Sequence, residues 1–230
     1  MIDTVLLDAG GVILDESEYE QACAEVAVEV ISPIVPGYNL NSYWADAEDA
    51  VRCYSPSVRK YVLWKHCDGS LETFKRLNEL YHAVWTWKKP GHTLMAGIDQ
   101  VLEELASDFD LIIAGQYGKD LLDLLEQHNL LRLFLNTLTQ DDFDITKPDP
   151  RYYEQILNRS GRMAEQSIMI GDRIDKDVIP AKMVGMHTIR IRTGLHINQE
   201  PRTPAEFPDA EVKSVTEIPE AARRLASCGE

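Results

Sequence analysis

The chain alternates short apolar runs with amphipathic stretches, stops alternating between residues 16 and 90, and then resumes. The runs at residues 5–7, 111–114, 134–138, 167–170 and 187–191 are too short for helices and rich in Val, Ile and Leu. That is the composition of strands buried on both faces. Between them, residues 97–106, 119–128, 150–158 and 178–184 carry apolar side chains at helical spacing. Strand-helix alternation of this kind predicts an α/β fold, a doubly wound parallel sheet with helices on both faces. Residues 210–215 read as an edge strand, and the proline-rich stretch 199–208 as a surface loop.

Residues 16–90 contain helical patterns and no convincing strand. Segments 18–31, 41–53, 57–67 and 70–88 each read as a helix, punctuated by Pro33, Pro36, Pro56 and Asp68-Gly69. The expectation is an all-helical domain of residues 16–90 inserted into a core made of residues 1–15 and 91–230. Tyr43, Trp44, Trp64, Tyr81, Trp85 and Trp87 concentrate there. Their simplest reading is the core of a helical bundle; the alternative is that some wall a ligand cavity.

Charge narrows the partners. With 38 acidic against 23 basic residues the net charge is −15. A nucleic-acid surface needs clustered Lys and Arg, so no nucleic-acid partner is expected. Small phosphorylated ligands remain compatible, because they need only one or two local cations and a divalent metal. Cys23, Cys53, Cys67 and Cys228 form no CxxC and read as reduced thiols. No stretch is long and apolar enough for a membrane span and no signal-peptide layout opens the chain, so a cytoplasmic protein without a membrane partner is expected. Oligomeric state is left open.

Four places fall at strand ends: Asp8, the segment Ala114-Gly-Gln-Tyr117, Lys147 in Thr146-Lys-Pro-Asp-Pro, and Gly171-Asp172 with Asp177 further on. Parallel strands deliver such residues to one edge of the sheet, where open α/β sheets bind ligands. Gly10 and Gly11 let backbone line that edge. Converging carboxylates and a lysine suit one divalent cation, Mg2+ by ligand hardness, together with one phosphoryl group. Asp177 has a plain alternative role as a helix cap, and Asp175 reads as a cap or a solvent-facing residue. Asp8 and Asp172 lack one, since an unpaired carboxylate ending an apolar strand is costly.

In order and separation, Asp8, Lys147-Pro-Asp-Pro and Gly171-Asp172-x4-Asp177, followed by Ala181 and Val184-Gly-Met186, resemble the haloacid dehalogenase (HAD) superfamily in its phosphatase-like branch. The resemblance implies a Rossmann-type core and a helical cap inserted after the first motif. It implies Asp8 as the nucleophile that forms an aspartyl-phosphate, and Lys147 as the partner of nucleophile and phosphate. The metal would be held by Asp8, the Gly10 carbonyl and Asp172. Asp177 would act through water or by orienting Lys147. Phosphate contacts would come from Gly115, Gln116 and Lys147.

Two positions depart from the pattern. Gly10 stands where an acid normally protonates the leaving group, help worth about 10²–10⁴ in rate. Gly115 stands where a Ser or Thr hydroxyl normally meets the phosphate; its N–H remains, and Gln116 or Tyr117 offers a partial replacement. His66, His92, Asp15 and Glu16 are conceivable proton donors, but each reads more simply as a surface residue. The expected function is therefore a Mg-dependent phosphohydrolase of a small phosphorylated metabolite. The alternative is a phospho-ligand-binding or regulatory protein with little turnover. A dehalogenase comes third, because it would leave Asp172 and Asp177 unexplained and no Arg precedes Arg52. Substrate identity is not encoded in any motif.

Overall fold

A computed structural model describes residues 1–227. In chain order its elements are β1 (Thr4–Leu7), β2 (Leu14–Asp15), α1 (Ser17–Ile31), α2 (Leu40–Arg52), α3 (Val58–Lys65), α4 (Leu71–Lys88), β3 (Thr93–Leu94), α5 (Ile98–Ala106), β4 (Asp110–Ile113), α6 (Lys119–Gln127), α7 (Arg151–Ser160), β5 (Ser167–Gly171), α8 (Ile179–Met183), β6 (His187–Ile191), β7 (Ala210–Val212) and α9 (Ile218–Ser227). The chain divides into two compact units, one of residues 1–15 with 92 onward, the other of residues 16–91.

The first unit is an α/β layer structure. Its sheet runs β4-β1-β5-β6-β7 with every pairing parallel. Alternate residues of the strands serve opposite faces. Val5, Leu7, Leu111, Ile113, Ile168 and Ile170 pack with Val101, Leu102 and Leu105 of α5, Leu125 of α6 and Ile218 and Ala222 of α9. Leu6, Ile112 and Met169 pack instead with Tyr152, Tyr153 and Ile156 of α7 and with Ala181 of α8. Both faces are covered, so the sheet is doubly wound. Leu7 lies beside Ile113 on one side and Ile170 on the other, which brings the ends of β1, β4 and β5 to one level. Asp8, Ala114 and Gly171-Asp172 emerge there together.

Several local expectations are corrected. Residues 134–138 form no strand: Phe134 makes one isolated bridge to Leu111, while Leu135 is 47% exposed. Phe134 is buried and Leu138 is partly covered, but the exposed Leu135 and Thr137 between them leave too little to hold a sixth strand at the β4 edge. The last strand stops at Val212, because the Ser214 side chain accepts from Thr216 N and starts a 3-10 turn over Val215–Glu217. Gln199, placed in a surface loop by its composition, is fully buried. Residues Ile174–Val178 widen into a π turn before α8, whose first turn carries Pro180. The two-residue strands β2 and β3 pair antiparallel, Leu14 with Leu94 and Asp15 with Thr93, and are too short to leave a period-two signal.

The second unit is four helices, capped by Asn39, Ser57 and Ser70 at the starts of α2, α3 and α4. Tyr43 and Tyr81 lie in its core, whereas Trp64 and Trp87 are exposed. Asp46 is buried but satisfied, accepting from Tyr38 Oη at 3.0 Å, His66 Nε2 at 2.7 Å and Lys65 Nζ at 2.7 Å. Cys23, Cys53 and Cys67 are free thiols, and Cys228 lies outside the described residues. Among the described residues no helix is long and apolar enough to cross a membrane.

Candidate active site

Asp8 follows β1 directly, and its N–H donates to Ile170 O at 2.8 Å, which ties it to β5. The chain then turns tightly. The Ala9 carbonyl accepts from Ile13 and Leu14 at 2.9 and 2.8 Å, and Gly11 adopts a left-handed φ of 69°. A Cβ on Gly11 would stand 3.2 Å from Asp172 Cγ, so glycine there also makes room for the acid. The Gly11 carbonyl accepts from Thr193 Oγ1 at 2.8 Å. Among the described residues no hydrogen bond is donated to the Gly10 carbonyl, which the turn leaves open.

Lys147 reaches this edge from the segment before α7, behind a cis Lys147–Pro148 peptide. Its side chain is only 3% exposed, with Nζ 2.9 Å from Asp8 Oδ1 and 2.7 Å from Asp177 Oδ1. Burial works against its charge, yet Asp177 and Asp8 outweigh burial and hold it well above the usual lysine range. Asp177 accepts a second bond at Oδ2 from Arg173 N at 3.1 Å, and Tyr153 Oη lies 3.3 Å from Oδ1. Both Asp177 oxygens are therefore engaged, one in cap-like fashion and one by Lys147. Burial pushes the Asp177 carboxyl up, and Asp8 adds to it while Lys147 opposes. Gly171 is required beside it, because a Cβ there would lie 2.3 Å from Asp177 Cγ.

Asp172 completes the group. One oxygen from each of Asp8, Asp172 and Asp177 lies within 4.8 Å of the others. His196 Nδ1 stands 3.1 Å from Asp172 Oδ2, and the buried Arg190 donates from Nε to the Asp172 carbonyl at 3.3 Å and from Nη2 to the His196 carbonyl at 2.9 Å. Gln199 accepts from Ile174 N at 2.6 Å and donates to Asp175 Oδ1 at 2.8 Å. Asp175 is thus neither cap nor solvent-facing: its side chain is 11% exposed and held by Arg173 and Gln199. His196, Gln199, Arg190 and Thr193 had no motif to mark them; the one sequence signal is an arginine inside the otherwise apolar β6.

The donor set fits a hard divalent cation. Three carboxylates cluster there, two of them bonded to Lys147, with the charges of Arg173 and Lys176 also acting on the group. Asp8 Oδ2 and Asp172 Oδ1 accept no hydrogen bond among the described residues, and with the open Gly10 carbonyl they supply three oxygens.

At the end of β4, Gly115 packs so closely that a Cβ would fall 2.4 Å from Ala9 Cβ and 2.7 Å from Ala9 N. Its carbonyl and that of Ala114 lie 3.4 and 3.3 Å from Tyr152 Oη. Gln116 is half-buried on the same loop and makes no hydrogen bond to the acids or to Lys147. Tyr117 stands edge-on to His92, which is half-buried and bonded to Asp120 at 2.9 Å.

A family model described as haloacid dehalogenase-like hydrolase matches residues 5–191, which takes in every residue of this site up to Arg190. The chain belongs to that family. Among haloacid dehalogenase-like relatives, a phosphoglycolate phosphatase of Vibrio cholerae is 32% identical over 219 residues, 89% of this chain and 90% of that one. A glyceraldehyde 3-phosphate phosphatase of Methanopyrus kandleri is 33% identical over 93 residues, and that match spans only 40% of either chain. The crystal structure of a predicted phosphoglycolate phosphatase from Haemophilus somnus has the same fold, with a TM-score of 0.69 at 16% identity over 96% of this chain and 98% of that one.

Proposed function

We propose that the protein is a Mg-dependent phosphohydrolase of a small phosphorylated metabolite, with Asp8 as nucleophile. The observation that carries this reading is Lys147, buried and bonded to both Asp8 and Asp177, with Asp172 beside them. Lys147 holds the Asp8 carboxylate in place for attack on phosphorus in line. The phosphorus–oxygen bond to the leaving group breaks, an aspartyl-phosphate forms on Asp8, and water then attacks phosphorus to return the carboxylate and release phosphate. The positive charge of Lys147 offsets repulsion between the carboxylate and the phosphate dianion. Asp177 fixes the Lys147 ammonium, and the Gly115 N–H is a donor for a phosphate oxygen. Asp8, the Gly10 carbonyl and Asp172 would hold Mg2+, which when bound supplies charge neutralisation at the phosphate. No side chain at Gly10 protonates the leaving group, so esters of acidic alcohols and acyl phosphates are the favoured substrates.

The phosphatase names of the relatives, two of them for three- or two-carbon phosphates, support a small substrate. We take residues 16–90 as a cap that supplies specificity and residues 1–15 with 91–230 as the catalytic core. Gly10 also favours a second reading, a phospho-ligand-binding protein without turnover. Assay of p-nitrophenyl phosphate and acetyl phosphate separates the two. Turnover that needs magnesium and falls at least about 10³-fold in Asp8→Asn is expected for the hydrolase. Magnesium and phosphate binding without turnover across a broad metabolite panel selects the second reading.

A further inference from the structure

The stretch that ends β6 and follows it, residues 190–199, belongs to no motif of the sequence, yet it holds the acid cluster at several points. Thr193 Oγ1 donates to the Gly11 carbonyl at 2.8 Å, one residue beyond Gly10. Gly194 then takes a left-handed φ of 55° and opens a 3-10 turn over Gly194–His196, which brings the imidazole to Asp172. His196 Nδ1 stands 3.1 Å from Asp172 Oδ2. A carboxylate offers only acceptors, so the imidazole proton belongs on Nδ1. At the far end the buried Gln199 accepts from the N–H of Ile174, the first residue of the turn that carries Asp177.

Two features of this stretch are poor choices for stability alone. With Nδ1 given to Asp172, His196 keeps Nε2 buried and, among the described residues, without a hydrogen-bond partner. An orphaned buried nitrogen costs folding free energy. Arg190 is fully buried, and two of its donors go to main-chain carbonyls, Nε to that of Asp172 at 3.3 Å and Nη2 to that of His196 at 2.9 Å. Its ion pair with Glu211 is longer, at 3.4 Å. Arg190 therefore ties the backbone of Asp172 to the backbone of the residue that holds its side chain. Asp172 is fixed twice, at its carbonyl and at its carboxylate. An acid fixed before a cation arrives loses less freedom on binding it.

We propose that His196, anchored by Arg190, is the positioning residue of Asp172, and Thr193 that of the Gly10–Gly11 turn, so that the stretch after β6 sets the affinity of the site for magnesium. The proposal rests on the magnesium-dependent reading of this site and adds the residues that prepare it.

The test is calorimetric titration of magnesium chloride into protein stripped with EDTA and dialysed, with the Tm of each variant in EDTA as the measure of its fold. His196→Ala is expected to weaken magnesium binding about tenfold or more. His196→Asn, whose side-chain amide offers a donor near the place of Nδ1, recovers most of that loss. Thr193→Val weakens binding by a smaller factor and Thr193→Ser restores it, which keeps the test open if the alanine variant fails to fold. A purely structural role would lower the Tm in EDTA and leave the magnesium Kd of the folded protein where it was. An unchanged Kd in His196→Ala, or equal losses in the alanine and asparagine variants, overturns the positioning role and leaves the phosphohydrolase reading standing. Magnesium binding that depends on His196, in a parent protein that turns over no ester, leaves the positioning role standing and overturns the hydrolase reading alone.

Discussion

At the scale of single residues, Gly10 and Gly115, the two glycines that depart from the family pattern, differ in kind. Gly115 is glycine because Ala9 leaves no room: a Cβ would meet Ala9 Cβ at 2.4 Å and Ala9 N at 2.7 Å, and backbone cannot swing aside. Restoring a hydroxyl by Gly115→Ser is therefore expected to cost about 1–3 kcal/mol of stability through overpacking and to lower activity. Urea unfolding midpoints beside steady-state rates check this, and a faster variant of unchanged stability would contradict it. Gly10 is not among the glycines of positive φ, and its carbonyl is free of the turn's hydrogen bonds. A side chain there meets no conformational bar. Gly10→Asp is expected to raise the rate on poor leaving groups about tenfold or more. An unchanged or lower rate would mean that another group already moves the proton.

At the scale of elements, the helical unit ties α2 to the end of α3 through a buried acid. Burial alone would raise the Asp46 pKa, but hydrogen bonds from Lys65, His66 and Tyr38 override it and hold the carboxyl below the usual range. A carboxylate whose folded pKa lies below its unfolded value stabilises the fold above the unfolded pKa. That contribution fades as pH falls through the folded pKa. The helical unit should thus lose stability below about pH 4, where an ordinary Asp titrates. Asp46→Asn is expected to cost about 1–3 kcal/mol at neutral pH and to flatten the acid slope. Urea midpoints at pH 7 and pH 3 for the two proteins measure both. An equal slope in the variant would remove Asp46 as the cause. Local pattern was a good guide at this scale. Each of the four helices of this unit was readable from helical patterning and the breaks at Pro33, Pro36, Pro56 and Asp68-Gly69. The ribbon of β2 and β3 was not, since two residues carry no period.

At the scale of the whole molecule, the core unit concentrates three carboxylates at one sheet edge, two of them bonded to Lys147. A cation bound there stabilises the folded chain by mass action. Magnesium at about a hundred times its Kd is expected to add about 2.7 kcal/mol, seen as a higher Tm in magnesium chloride than in EDTA. Asp172→Asn should abolish the difference, and a Tm indifferent to magnesium in the unaltered protein would contradict a cation site. The parallel sheet, its two covered faces and the residues ending β1 and β5 follow from local periodicity, because strands buried on both sides must be continuously apolar and must stop at a polar residue. Asp8 and Asp172 were visible for that reason, and Lys147 for the prolines around it. The run at 134–138 had the same local character and still failed, for of its residues only Phe134 is fully buried and Leu135 is exposed. Other features arise between segments far apart in sequence: Ala9 closing on Gly115, Arg190 and His196 bracing Asp172, Gln199 fastening Asp175, and Arg59 resting on Tyr81. Periodicity reports which side of a segment is buried, but not what it is buried against, and that second question belongs to the folded chain.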